Sequence, residues 1–173
     1  MSQWTMLTLV GADRPGIVAR VTRALYGAGC NLGEASMIRL GGNFTIMLMV
    51  GGERSCESLQ AALDPVAEEL GLRLHLDPVR GGLHQHLVPN FQVRVAGADR
   101  AGIVADVTEI LADQGFNILE LESDVAGDVD KPVYIMNIQG YCERTLESLE
   151  AALSPLAAKG VSADVAPVEI LIG

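Results

Sequence analysis

One segment of the chain occurs twice, and a duplicated segment obliges a chain to build one supersecondary plan two times over. Gly11-Ala12-Asp13-Arg14-Pro15-Gly16-Ile17-Val18-Ala19 returns as Gly97-Ala98-Asp99-Arg100-Ala101-Gly102-Ile103-Val104-Ala105, an offset of 97 − 11 = 86. At the same offset Val21, Thr22, Leu25, Gly29 and Asn31 match Val107, Thr108, Leu111, Gly115 and Asn117. A second block, Glu57-Ser58-Leu59-Gln60-Ala61-Ala62-Leu63-Asp64-Pro65, returns as Glu147-Ser148-Leu149-Glu150-Ala151-Ala152-Leu153-Ser154-Pro155, an offset of 147 − 57 = 90. The second copy therefore carries 90 − 86 = 4 extra residues between the blocks. They are expected in residues 124–132, read as a polar hairpin loop with Gly127 and Pro132, where the first copy turns at Gly41-Gly42-Asn43.

Each copy reads as the same run of elements. Leu7 and Leu9 alternate with Met6, Thr8 and Val10, and Phe91, Val93 and Val95 alternate with Gln92, Arg94 and Ala96, the pattern of a half-buried strand. Ile17, Val21, Ala24, Leu25 and Ala28 then fall on one face at helical period, with Arg20 and Arg23 opposite. Pro15 suits the first helical turn, and Gly29 and Gly115 suit the helix exits. Two β segments follow, at 30–40 and 44–50. A second helix starts near Ser55, with Leu59, Ala62, Leu63, Val66 and Leu70 inward. Pro65 and Pro155 predict a kink or break inside that helix. Gly71 ends it, and Leu72, Leu74 and Leu76 alternate as a last strand. The order is βαββαβ, twice: an α+β chain of two ferredoxin-like domains, each an antiparallel sheet with its helices on one face. The aperiodic stretch 77–88, with Pro78, Gly81, Gly82, His84 and His86, joins them. It sets domains at residues 1–80 and 89–173, with 81–88 as linker.

A chain of 173 residues has room for two such small domains, and its 49% apolar residues can give each a core. A domain of half this length is marginal alone and favours packing on a neighbour, either the other half of the chain or a second copy in a homo-oligomer. The charge balance, 12 − 22 = −10, opposes nucleic-acid phosphates and anionic membranes alike. Cys30, Cys56 and Cys142 are too few for a disulfide framework and form no Cys-x-x-Cys pair, so they read as thiols of a reducing compartment. No basic region precedes the first apolar stretch, and no apolar run reaches the ~18 residues of a membrane span. The expected location is the cytoplasm.

No catalytic constellation stands out. Gly-x-Ser-x-Gly, a Walker loop and a Gly-x-Gly-x-x-Gly opening a helix are all missing. His84-Gln85-His86 offers two imidazoles, but zinc needs three or four ligands, so neither a metal nor a cofactor is expected. His75 belongs on the solvent face of a strand. An RNA-recognition module shares the βαββαβ order, yet it stacks bases on sheet aromatics and needs a basic surface. Phe44 and Tyr134 are single aromatics in an acidic chain.

The repeated Gly-Ala-Asp-Arg-x-Gly-Ile-Val segment joins a strand to a helix start. Such an end presents unpaired N–H donors that suit a carboxylate. Gly16 and Gly102 let a ligand or a backbone approach closely, and Asp13 and Asp99 can face an α-ammonium group. The plain reading, a tight turn with an acid near a helix start, stands equally open.

Asp-Arg-Pro-Gly-Ile-Val after a strand, followed by Gly29-Cys30-Asn31-Leu32 and echoed by Gly115-Phe116-Asn117-Ile118, resembles the ACT domain family over nearly the whole chain. Ala101 departs from the family's proline but leaves Gly102 in place. The resemblance implies small regulatory modules that bind amino acids in a pocket between ACT domains. It carries Asp13, Gly16, Ile17, Asn31 and Leu32 over as ligand contacts in the first copy. In the second copy the contacts are Asp99, Gly102, Ile103, Asn117 and Ile118. A free-standing pair without a catalytic domain is similar to the transcriptional repressors of the glycine cleavage system. That similarity implies a non-enzymatic sensor of a small amino acid such as glycine, acting through a protein partner such as a DNA-binding activator and not on DNA itself. The alternative is a stand-alone ACT subunit giving feedback control of an amino-acid metabolic enzyme. A docking face is expected on the open side of the first copy's sheet, covered by a second sheet from either a homodimer mate or the other domain. There Thr45, Met47 and Met49 stand where the second copy has Ile135, Asn137 and Gln139.

Overall fold

A computed structural model describes residues 3–79, 87–98, 102–128 and 131–168. The chain runs β1 (Gln3–Ala12), α1 (Ile17–Gly27), β2 (Asn31–Leu40), β3 (Asn43–Gly52), α2 (Cys56–Leu70) and β4 (Arg73–Val79). It repeats as β5 (Phe91–Ala98), α3 (Ile103–Asp113), β6 (Asn117–Asp128), β7 (Lys131–Tyr141), α4 (Leu146–Leu153), a 3₁₀ segment (Ser154–Lys159) and β8 (Val161–Pro167). Two compact units result, Met1–Leu83 and His84–Gly173. Each holds one four-stranded antiparallel sheet, in the order β2-β3-β1-β4 or β6-β7-β5-β8. The twice-built ferredoxin-like plan read from the repeat is the observed one.

Period-two alternation decides which sheet face the helices cover. Leu7, Leu9, Phe44, Ile46, Leu48 and Val50 are buried against Ile17, Val21 and Leu25 of α1 and Leu59 and Leu63 of α2. Val93, Val95, Met136 and Ile138 do the same against Ile103, Val107 and Leu111 of α3 and Leu149 and Leu153 of α4. Each fully buried side chain of this size stabilises its unit by roughly 1.5–3 kcal/mol. Both second helices open on the same cap: the Ser58 N–H donates to Ser55 Oγ and the Ser148 N–H to Thr145 Oγ1, each at 3.3 Å. Both first helices close alike. The Gly29 N–H donates to the Tyr26 carbonyl at 2.9 Å and the Cys30 N–H to that of Leu25 at 3.1 Å; Gly115 and Phe116 repeat the pair on Ala112 and Leu111.

Four details differ from the sequence reading. Pro15 lies outside α1, because Gly16 caps the helix in the left-handed region at φ +88° and helical dihedrals begin only at Ile17. The two equivalent prolines act differently. Helix α2 runs unbroken through Pro65, whereas α4 gives way to the 3₁₀ segment at Ser154-Pro155. From Pro65 to the helix-ending Gly71 is six steps, but from Pro155 to Gly160 only five. A 3₁₀ helix rises ~2.0 Å per residue against ~1.5 Å in an α-helix, so the shorter segment spans the same height by tightening. The four extra residues lengthen a ladder and do not swell a loop, since β6 pairs with β7 out to Asp128 opposite Lys131. Residues 77–79, the start of the stretch read as aperiodic, extend β4 along β1, with Trp4 opposite Val79. His84 and His86 lie outside the described residues.

All three cysteines are free, Cys30 and Cys142 buried. Burial pushes the Cys30 thiol up, partly offset by the charge of Arg54. Among the described residues no helix is long and apolar enough to cross a membrane, and no three His, Cys, Asp or Glu side chains gather as a metal site.

Candidate functional site

The first repeated segment forms one wall of an open cleft of about 500 Å³, lined among others by Asp13, Gly16, Ile17, Met37, Arg39 and Phe44. Its geometry follows from register. The two-residue turn at Gly41 and Gly42, both at positive φ, closes β2 on β3 with Leu40 opposite Asn43. Arg39 then falls opposite Phe44, and Phe44 opposite Gly11 of β1. Residues directly opposite in an antiparallel ladder share a face. Arg39 and Met37 therefore stand on the helix side of the sheet, beside the β1–α1 junction. The same turn anchors the junction, because the Asp13 N–H donates to the Gly42 carbonyl at 3.0 Å.

Across the cleft the Arg39 guanidinium meets the Asp13 carboxylate at 2.5 Å. The Arg39 side chain is 69% exposed and that of Asp13 26%, so the pair sits at the cleft mouth in contact with water. No side chain caps the start of α1 at Gly16. The cleft thus offers an acid, two arginines (Arg14 and the Asp13-paired Arg39) and a helix start, with Met37 and the edge of Phe44 as apolar lining. It holds no nucleophile paired with a base.

Asp13, Gly16 and Ile17 are brought together here, Ile17 through its backbone, since its side chain is buried in the core. Asn31 and Leu32 are not. They open β2 opposite Gly51 and Val50, eight and seven residues of strand before Arg39 and so roughly 25 Å away. In the second unit Gly102 repeats the left-handed cap at φ +89°, and Ile103 is buried behind it. Asn117 and Ile118 again open the edge strand, opposite Tyr141 and Gly140. Asp99 lies outside the described residues. Arg39 and Met37 escaped the sequence reading because the repeat hides them: their register equivalents are Val125, opposite Tyr134, and Ser123, opposite Met136. Counting outward from the Gly41-Gly42 turn would have found both. A second open cleft, of about 610 Å³, lies at the end of α3 between Gln114, Gly115, Tyr141, Glu143 and Arg144, also unforeseen.

Comparison with known proteins agrees with this architecture. The ACT domain family matches residues 4–77 and, a second time, residues 91–140. The chain belongs to the ACT domain family and carries two of its domains in tandem. Among individual proteins, it is 30% identical over 121 residues to the glycine cleavage system transcriptional repressor of Escherichia coli (strain K12). That alignment covers 69% of this chain and 64% of the repressor's length. A solved structure of a protein of unknown function from Galdieria sulphuraria superposes with a TM-score of 0.80 at 26% identity, covering 98% of this chain and all of that one. A candidate glycine cleavage system transcriptional repressor superposes at 0.72 and 20% identity, covering 98% and 99%, which shows the shared fold.

Proposed function

We propose that the chain is a non-enzymatic sensor of a small amino acid, glycine foremost, that regulates transcription of glycine-cleavage genes through a protein partner. The observation that carries this reading is the Asp13–Arg39 cleft at the Gly16 cap. It supplies opposite charges a few ångströms apart, the charge pattern of an amino-acid zwitterion. The absence of a nucleophile–base pair there favours sensing over catalysis. The E. coli relative supports the transcriptional role, and the charge of −10 supports an indirect one, with a DNA-binding activator between this chain and DNA.

The five first-copy candidates fit one further feature. Strand β2 is an edge strand whose ten residues are all exposed, Ile38 and Leu40 among them. Its unpaired backbone can accept another strand. Antiparallel pairing of β2 with β2 of a second copy would set the Asn31–Leu32 end of one beside the Asp13–Arg39 end of the other. A homo-oligomer would then complete sites that one unit leaves divided.

Thermal-shift screening against the twenty amino acids tests the sensor. A binder at 100 times its Kd stabilises by about 2.7 kcal/mol. No shift with any of them refutes the reading. The partner is tested by pull-down and gel shift together. A DNA-binding activator should be retained, and the isolated chain should shift no DNA. Retention of a biosynthetic enzyme would point instead to feedback control of metabolism.

A further inference from the structure

The two copies share the Gly-Ala-Asp-Arg-x-Gly motif, yet the edge-strand positions on the helix side of the sheet are not chemically equal. Position 39 is arginine in the first unit, and its register equivalent in the second is Val125. Position 37 is methionine in the first and Ser123 in the second. The hairpin that presents them also differs. In the first unit it ends at Gly42, whose carbonyl holds the Asp13 N–H. In the second it runs on to Asp128 opposite Lys131. Among the described residues the first copy alone places a guanidinium at this strand position.

We infer that Arg39 is the carboxylate anchor, and Asp13 the ammonium anchor, for the backbone of a zwitterionic amino acid bound by the first unit, and that the Asp13–Arg39 ion pair is the closed form of that site. This rests on the amino-acid-sensing reading and assigns its specificity. A guanidinium matches a carboxylate as a planar fork, while a carboxylate can accept from an ammonium. A ligand carrying both groups replaces one protein–protein ion pair by two protein–ligand pairs, with charge matched throughout. A ligand carrying one group opens the latch and leaves either Asp13 or Arg39 without its counter-charge. The latch can open because the pair is exposed to water and the arginine stem is long and unburied, which keeps such pairs weak. Rotation of the Arg39 side chain away from Asp13 widens the gap to the length of a zwitterion without moving the sheet. The second unit has an apolar side chain in place of this anchor.

Isothermal calorimetry on the full chain tests the assignment. The wild type is titrated with each of the twenty amino acids, and the best binder is then compared with its α-amide and its α-hydroxy acid. Both analogues should bind at least tenfold more weakly than the amino acid. Arg39→Leu should weaken the amino acid at least tenfold, and Arg39→Lys should restore part of the loss. Against the α-amide, which has no carboxylate, Arg39→Leu should not weaken binding, because the ion pair that the amide must otherwise open is gone. Val125→Leu should leave affinity and stoichiometry unchanged. Arg39 is exposed, so circular dichroism and urea midpoint should match wild type in its variants. If no amino acid binds the wild type, the sensor reading itself fails. If one binds and Arg39→Leu retains its affinity, or weakens the α-amide equally, the anchor assignment fails while the sensor stands.

Discussion

Replacing Gly16 separates backbone strain from steric filling at the cleft. Gly16 sits at φ +88° and ψ −1°, and a Cβ built on it meets no atom within 4 Å. Alanine there collides with nothing, so the cost is conformational. An L-residue in the left-handed region pays roughly 1–2 kcal/mol, and φ near +90° lies beyond the small well such residues prefer. Against this, alanine lowers the entropy of the unfolded chain, worth about 0.4–1 kcal/mol in favour of folding. The net expectation for Gly16→Ala is a loss of about 1 kcal/mol, or roughly 4–8 °C for a unit of this size. Gly16→Asn should lose about half as much, because asparagine tolerates this region. Gly102→Ala should match Gly16→Ala, its φ being +89° over equally open space. Gly140→Ala is the counter-case: its φ is not positive, but its Cβ would fall on the Phe116 ring and the Asn117 carbonyl, so it should cost about 3 kcal/mol or more. Urea titration followed by circular dichroism measures the series, with the midpoint moving and the slope held. If Gly16→Ala is as stable as wild type, or Asn proves worse than Ala, φ strain does not govern this junction. Gly16→Val, still folded at low temperature, should also lose ligand affinity, since its branched side chain stands in the open space of the cleft.

The remaining expectations are quicker to state. Met47 is 44% exposed on the open sheet face, so Met47→Asp with Met49→Asp should abolish self-association or partner retention, while Asn137→Asp with Gln139→Glu should not. Light scattering and pull-down that treat both pairs alike would remove any special role for the first copy's open face. Glu69 is held below the usual carboxylate range by its hydrogen bond from Arg20, Glu57 by that from Ser55, and Glu147 by its own backbone N–H and then Thr145. Depressed acids stabilise the fold above their ordinary values near pH ~4.3 and cease to do so as pH falls through the lowered ones. Urea midpoints should therefore hold from pH 7 to 5 and decline below about 4; a midpoint rising toward pH 3 would contradict this. Under native conditions a thiol reagent should modify half-buried Cys56 first and leave Cys30 and Cys142 until denaturation. Three thiols reacting at one rate would contradict the burial.

Much of this protein is written in local sequence. Leu7 and Leu9 point inward because a strand alternates with period two, and Ile17, Val21 and Leu25 line one face because a helix turns every 3.6 residues. Gly29 and Gly115, Ser55 and Thr145 mark helix ends through bonds to neighbours a few residues away. The duplication doubled each of these signals, so the fold was legible without coordinates, as was the Asp13-to-Ile17 junction that forms one wall of the candidate cleft. Tertiary structure decided what depends on register and length. Arg39 faces Asp13 only because a two-residue turn sets β2 against β3 and β3 against β1. Asn31, part of the same family pattern as Asp13, lies a strand's length away within its unit. Pro65 and Pro155 hold equivalent places in the repeat and differ in outcome because one residue fewer leads from Pro155 to the glycine that ends the helical return to the sheet. Local periodicity is set by bonds along the chain and can be read there. Pairing across strands is set by which closure satisfies every ladder at once, and that is fixed only when the sheet has formed.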